Sequence, residues 1–157
     1  MISEIQEKKL IENEAFMTAV KETLQSGLDV KFTVTGMSMW PFFTGRRDSV
    51  TVKKCTFRDI KKGDIVLFSP EENIYLLHRV MKKTDNSFVT AGDGNTFTDG
   101  IFSPDKIIAR VSEIRRKDKV FSPDKKLFRF LSDIWISLFP VRKHILKVLK
   151  HLVFKSK

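Results

Sequence analysis

Between residues 29 and 114 the chain is cut into short runs, VKFTVT, SVTVKK, DIVLFS, IYLLHRV, SFVTAG and KIIARVSEI, rich in β-branched or aromatic residues and separated by Gly, Pro, Asp and Asn. Turn residues recur too often for a helix of ordinary length, so this stretch is expected to form a body of about six strands. Helical spacing appears only outside it. Leu10, Phe16, Met17, Val20 and Leu24 fall at roughly helical intervals, with Gly27 as the stop, which predicts a first helix near 5–26. After Pro123, Leu127, Phe130, Leu131, Ile134 and Leu138 make one stripe and Pro140 breaks it. Val141, Ile145, Val148, Leu149 and Leu152 then make a second, opposite Arg142, Lys143, Lys147 and Lys150. The expected fold class is mainly β, with an N-terminal helix and C-terminal amphipathic helices. The expected organisation is a domain over 1–122, its β body at about 29–114, followed by a basic helical tail over 123–157.

A chain of 157 residues with 41% hydrophobic content suits one domain with a core of ordinary size. The single cysteine, Cys55, gives no disulfide framework and no paired-cysteine zinc motif, so neither an oxidising compartment nor a zinc site is expected; the serine chemistry considered below calls for no metal or organic cofactor. The opening MISEIQEKKLIENEAF lacks the basic start, apolar run and small-residue cleavage site of an export signal. Nowhere do about 18 uncharged apolar residues stand in a row. The expected location is cytoplasmic, with peripheral attachment at the inner membrane face left open. Charge is unevenly placed: residues 1–114 hold 16 Lys+Arg against 16 Asp+Glu, whereas residues 115–157 hold 13 against 3, the whole net +10. Such a tail points to an anionic partner. An anionic membrane surface suits two amphipathic basic helices; packing of their apolar stripes on the β body and docking to a partner stay open beside it, and with no base-reading motif no nucleic acid partner is expected.

The stretch VTGMSMWPFF, residues 34–43, sets one hydroxyl among methionines, a tryptophan and phenylalanines. Ser38 is either a bland turn residue or a nucleophile on an apolar edge. A serine hydroxyl needs a neighbouring base, and imidazole suits because its pKa lies near neutrality; His78 supplies one in LLHRV. A carboxylate on the far ring nitrogen would fix the tautomer, and Asp93 and Asp99 both stand in the turn-rich AGDGNTFTDG. Spacing alone leaves this set unproven.

GMSMWPFF resembles the Gly-x-Ser-Met-x-Pro serine box of the signal peptidase I and SOS-repressor peptidase superfamily. KKGDIVLF is similar to its second box, and HRV and AGDGNTFTD to its third and fourth; the four follow the family's order over about residues 33–111. The resemblance implies a serine endopeptidase built of twisted antiparallel sheets, with Ser38 as nucleophile acting on a peptide or precursor protein. Where many members carry a lysine base this chain has His78 followed by Arg79, similar to the endoplasmic reticulum and archaeal branch. That branch implies a Ser-His-Asp arrangement, with Asp99 as the distal carboxylate and Asp93 in a supporting role. Lys82 and Lys83 do not fall on the box.

Several positions depart from the pattern. Where signal peptidases often place a second oxyanion donor, two residues before the nucleophile, this chain has Gly36; Thr35 or another amide would join the Ser38 N–H instead. In GRRDSV, Asp48 matches an expected Gly-Asp, with Arg47 in the glycine's place. The family's N-terminal membrane anchor is replaced by the charged stretch of the first helix. Met37, Met39 and Trp40 are candidates for a substrate groove, against core or rim packing for Trp40, Phe42 and Phe43. Asp64 and Asp99 each have a plain reading as turn residues. Two other functions stay open: an inactive peptide- or partner-binding module, and a self-processing regulator, for which neither a cleavable linker nor a DNA-binding module is evident.

Overall fold

The computed structural model describes the backbone of residues 4–154 and the side chains of residues 14–153. Helix α1 spans Glu4–Gln25 and ends where expected. Gly27 takes a φ of 82° and donates to the Leu24 carbonyl, while Leu28 N–H reaches the Thr23 carbonyl, so the last turn is closed by a left-handed glycine. The expected Leu10 position of its stripe lies outside the described side chains.

Among the described residues eight strands follow: β1 Val30–Thr33, β2 Asp48–Lys54, β3 Ile65–Phe68, β4 Leu76–Lys83, β5 Phe88–Ala91, β6 Gly100–Phe102, β7 Ile107–Arg116 and β8 Lys119–Phe121. They form one antiparallel sheet in the order β1-β2-β7-β3-β4-β5-β6, with β8 folded back on the end of β7. The mainly β class expected from the sequence is what the chain adopts. Six strands coincide with the six runs; β6 and β8 are additional three-residue strands that pair with β5 and β7.

Strand β3 is buried along its whole length, and its alternation divides the core. Ile65 and Leu67 enter a cluster with Met17, Val20 and Leu24 of α1 and with Val34, Met39, Phe43, Val50 and Val111. Val66 and Phe68 enter a second cluster with Ile60, Val80 and Phe88. Met17, Val20 and Leu24 each contribute about 1.5–3 kcal/mol of burial to the packing of α1 on the sheet.

Helices α2, Lys126–Ser137, and α3, Arg142–Phe154, are joined by a 3-10 turn over Phe139–Val141. They pack onto the body, α2 by a face other than its apolar stripe and α3 in part by its own, through Ile145 and Leu149. The inward residues are Ser132, Trp135, Ile136, Arg142 and Leu146. Trp135 and Leu146 form a third cluster with Trp40, flanked by Phe42, Ile145 and Leu149. Arg129 reinforces the contact by pairing with buried Asp64 and with Asp124. Leu127, Phe130, Leu131 and Ile134 face outward. Among the described residues no helix is long and apolar enough to cross a membrane.

Candidate active site

The four sequence boxes converge on one place. Strand β1 ends at Thr33, and Ser38, expected at a strand end, instead lies in the irregular turn that follows, half-buried, ahead of a cis Trp40–Pro41 peptide bond. This turn rests directly on the 92–94 loop: Gly94 N–H donates to the Ser38 carbonyl at 2.7 Å. A Cβ at Gly92 would lie 2.6 Å from the Ser38 carbonyl oxygen, and one at Gly94 would lie 2.9 Å from that of Met37. Both glycines are thus required by close backbone approach. A second close approach holds the other end of the turn, where Gly45 N–H donates to the Gly36 carbonyl at 2.7 Å and a Cβ at Gly45 would meet Gly36 N at 2.5 Å.

His78 and Arg79 are consecutive on β4, whose pleat sends them to opposite faces. His78 Nδ1 lies 2.7 Å from Asp99 Oδ2, with the two side chains only 6% and 9% exposed. The same carboxylate oxygen accepts from Thr90 Oγ1 at 2.8 Å, and Asp99 N–H donates to the Thr90 carbonyl, so the β5–β6 connection fixes the acid at both side chain and backbone. A carboxylate so placed selects the tautomer with the proton on Nδ1 and leaves Nε2 as a base. Arg79 forms a bidentate pair with Asp93, both bonds 2.7 Å and both side chains fully buried. Its remaining donor reaches the Gly63 carbonyl and Ser132 Oγ, and its plane lies 4.5 Å over the Phe42 ring. The two aspartates of one loop therefore have different partners, Asp99 the histidine and Asp93 the arginine.

Ser38 and His78 line the same cavity, about 460 Å³, together with Thr35, Gly36, Met39 and Phe16 of α1. Among the described residues no hydrogen bond joins Ser38 Oγ to His78, whose side-chain bond is to Asp99. The N–H groups of Gly36 and Ser38 have no acceptor among the described residues. Gly36 has a φ of 76°, a left-handed conformation that a side chain would strain. Thr35 is an exposed wall residue of the cavity. Of the groove candidates, Met39 lines the cavity while belonging to the main core, Trp40 is buried in the cluster beneath α2 and α3, and Met37 is 49% exposed outside the cavity lining. Phe43 is buried, and Phe42 covers Arg79. Lys83 is bound to the Ile60 carbonyl at 2.7 Å and lies over Phe57.

Asp48, at the start of β2, is fully buried and accepts from the Thr44 N–H, Arg47 and Arg116. Burial alone would raise its pKa, but these donors hold it down to about 2. Arg116 also bonds the Phe42 carbonyl at 2.7 Å, so this ion-pair group anchors the exit from the serine turn. Cys55 is half-buried, and that burial raises its thiol to about 11, far from a reactive thiolate.

Four contributors were not singled out by sequence reasoning. Thr90 bonds Asp99; Ser132 bonds Arg79; Trp135 Nε1 donates to the Asp93 carbonyl at 3.1 Å; and Arg142, fully buried, reaches the Gly92, Asn95 and Trp135 carbonyls. Burial lowers the Arg142 pKa, Asp93 opposing the effect and Arg79 adding to it. The only sequence signal for Ser132 and Trp135 is a hydroxyl and an indole within a helix rich in apolar residues; Arg142 stands among the basic residues opposite the second stripe. Among the described residues no group of three or more His, Cys, Asp and Glu is clustered as for a metal.

Comparison with known proteins leaves the reading to this geometry: no protein-family model matches the chain, and no curated protein matches it.

Proposed function

We propose that the protein is a serine endopeptidase in which Ser38 is the nucleophile, His78 the general base and Asp99 the residue that orients the base. The observation that carries the proposal is the buried 2.7 Å contact between His78 Nδ1 and Asp99, on the wall of a cavity that Ser38 also lines. A buried histidine bound to a buried carboxylate has ordinary structural uses; one that also shares a cavity with a serine held in a glycine-clamped turn has the parts of an acyl-transfer site. The four boxes that resemble the signal peptidase superfamily supply independent support, since each contributes to this cluster.

In the proposed reaction Ser38 Oγ attacks a peptide carbonyl and passes its proton to His78 Nε2. Asp99 stabilises the resulting imidazolium through Nδ1–H. The tetrahedral oxyanion is met by the Ser38 N–H and by a second amide of the serine turn, where the Gly36 N–H, like those of Met37 and Met39, has no acceptor among the described residues. Collapse expels the amine, which takes the proton from His78, and water, activated by the same imidazole, releases the acyl group. Strand β1 lies at the end of the sheet order, and Phe32 to Gly36 line the cavity, so an extended peptide would add beside this edge with its side chains directed at the opening.

A second reading is capture of a peptide without cleavage, favoured by Gly36, which has no side chain to serve as the second oxyanion donor. A fluorophosphonate probe separates the two. Labelling of the wild type that vanishes in Ser38→Ala and falls sharply in His78→Ala is expected; equal labelling of all three, or none of the wild type at millimolar probe, would discard the enzyme.

A further inference from the structure

Amphipathic helices of a water-soluble body normally turn their apolar stripe inward. Helix α2 is apolar on two sides and buries only one: Leu127, Phe130, Leu131 and Ile134, spaced as one helical face, are 70%, 61%, 46% and 41% exposed, while Phe128, Ser132, Trp135 and Ile136 pack on the body. Across the 3-10 turn the pattern continues, with Val141, Val148 and Leu152 exposed and Arg142 and Leu146 buried. The inner faces are already committed to Trp40, Arg79 and the 92–95 loop, so the outer apolar rows have no partner within the described chain. Exposed apolar surface on this scale marks an interaction site.

The charges beside these rows identify the occupant. Lys125, Lys126, Lys143, Lys147 and Lys150 are all exposed, and so are His144 and His151. Of the two nearby acids, Asp124 is paired with Arg110 and Arg129, which leaves Asp133. Both arginines of this stretch are turned to the body, Arg129 to Asp64 and Arg142 to the loop carbonyls. Cations left on the outer face are therefore all lysine or histidine. Protein–protein interfaces are poor in lysine and use arginine, whereas lysines flanking an aliphatic and phenylalanine stripe are what an anionic lipid surface favours, their stems lying along the apolar face and their ammonium groups on the headgroups.

We infer that α2 and α3 seat the protein on an anionic lipid bilayer, the rows of Leu127 to Ile134 and Val141 to Leu152 entering the interfacial layer and the lysines meeting the headgroups. This rests on the helices alone and is independent of catalysis by Ser38. The test is flotation of the full chain with vesicles of phosphatidylglycerol and phosphatidylcholine, or of phosphatidylcholine alone, with light scattering on the same samples. Binding is expected only to anionic vesicles, and to fall as salt rises. The exposed triple variant Lys143→Gln/Lys147→Gln/Lys150→Gln should lower the partition coefficient on the order of a hundredfold, about fivefold per lysine. Phe130→Ser/Leu131→Ser should abolish binding, with circular dichroism and thermal midpoint kept near wild type. Equal binding to neutral vesicles, no binding to either, or a dimer that Phe130→Ser dissolves in the absence of lipid would each overturn the inference, the last by assigning the face to a second copy.

Discussion

Removing Asp93 tests the division of roles between the two loop aspartates. Its carboxylate and the Arg79 guanidinium are both fully buried and joined by two bonds of 2.7 Å, so Asp93→Ala leaves a cation without a counter-charge in a place water does not reach. Coulomb attraction at about 4 Å with an effective dielectric of about 20 is roughly 4 kcal/mol, and breaking a buried pair from one side costs about 3–5 kcal/mol. Arg79 keeps the Gly63 carbonyl, Ser132 Oγ and the Phe42 ring, which argues for the middle of that range. Urea denaturation followed by tryptophan fluorescence should then show a midpoint lowered by about 2 M, taking a slope of about 2 kcal/mol/M for a chain of this size. Because the penalty comes from the orphaned charge, Arg79→Met/Asp93→Leu should be less destabilised than the sum of its single variants by about 2 kcal/mol or more. A loss below about 1 kcal/mol for Asp93→Ala, or strict additivity in the cycle, would refute the reasoning.

Asp99→Asn should have the opposite profile, a thermal midpoint close to wild type but a probe-labelling rate at Ser38 lower by at least about a hundredfold, since the amide no longer fixes the tautomer or balances the imidazolium; Thr90→Val, which removes one of the two side-chain bonds to Asp99, should fall between them in labelling rate. Gly92→Ala should both destabilise the fold and suppress labelling, because its Cβ would stand 2.6 Å from the Ser38 carbonyl and push the serine turn off the loop; an unchanged labelling rate would contradict the close approach. The Asp48 carboxyl is held down to about 2 in the fold against an ordinary value near 3.8, so its contribution, about 2 kcal/mol, is present above pH 4 and is lost as pH falls through about 2; acid unfolding of Asp48→Asn should show that much less pH dependence in this window. On α2, Leu131→Asp should change stability by under about 0.5 kcal/mol, whereas Ile136→Asp, which buries an unpaired carboxylate, should cost several, and equal effects would contradict the orientation of the helix.

That orientation is also where the sequence was least legible. Residues 126–137 carry apolar side chains on nearly every side, and periodicity reports the richest stripe without reporting which side another element will cover. The inward side was chosen by specific partners: Ser132 satisfies a buried arginine, and the Trp135 ring needs an acceptor for its N–H, which it finds at the Asp93 carbonyl. Neither need is visible until the body exists. The strands were easier, since β-branched runs bounded by turn residues have few alternatives, and the two that went unread, Gly100–Phe102 and Lys119–Phe121, are three residues long and depend on the neighbours they pair with. At the site, residue types could nominate Ser38, His78 and two aspartates, but only the pleat of β4 separates their functions.

Two consecutive residues of one strand, His78 and Arg79, thereby link the proposed chemistry to the rest of the molecule. The His78 side of β4 faces Asp99 and the cavity; the Arg79 side is held by Asp93, Phe42 and Ser132, and through them by α2. Arg142 and Trp135 bind three carbonyls of the same 92–95 loop, whose Gly94 N–H holds the Ser38 carbonyl. The basic helices are therefore part of the scaffold of the serine turn. Shortening the chain before Ser132 would leave Arg79 short of a partner, expose the Trp40 cluster and free the loop under Ser38 at once. A lipid-binding experiment on such a truncation would confound loss of fold with loss of the surface, which is why exposed single-side variants such as Phe130→Ser and Lys147→Gln are the ones that can distinguish them.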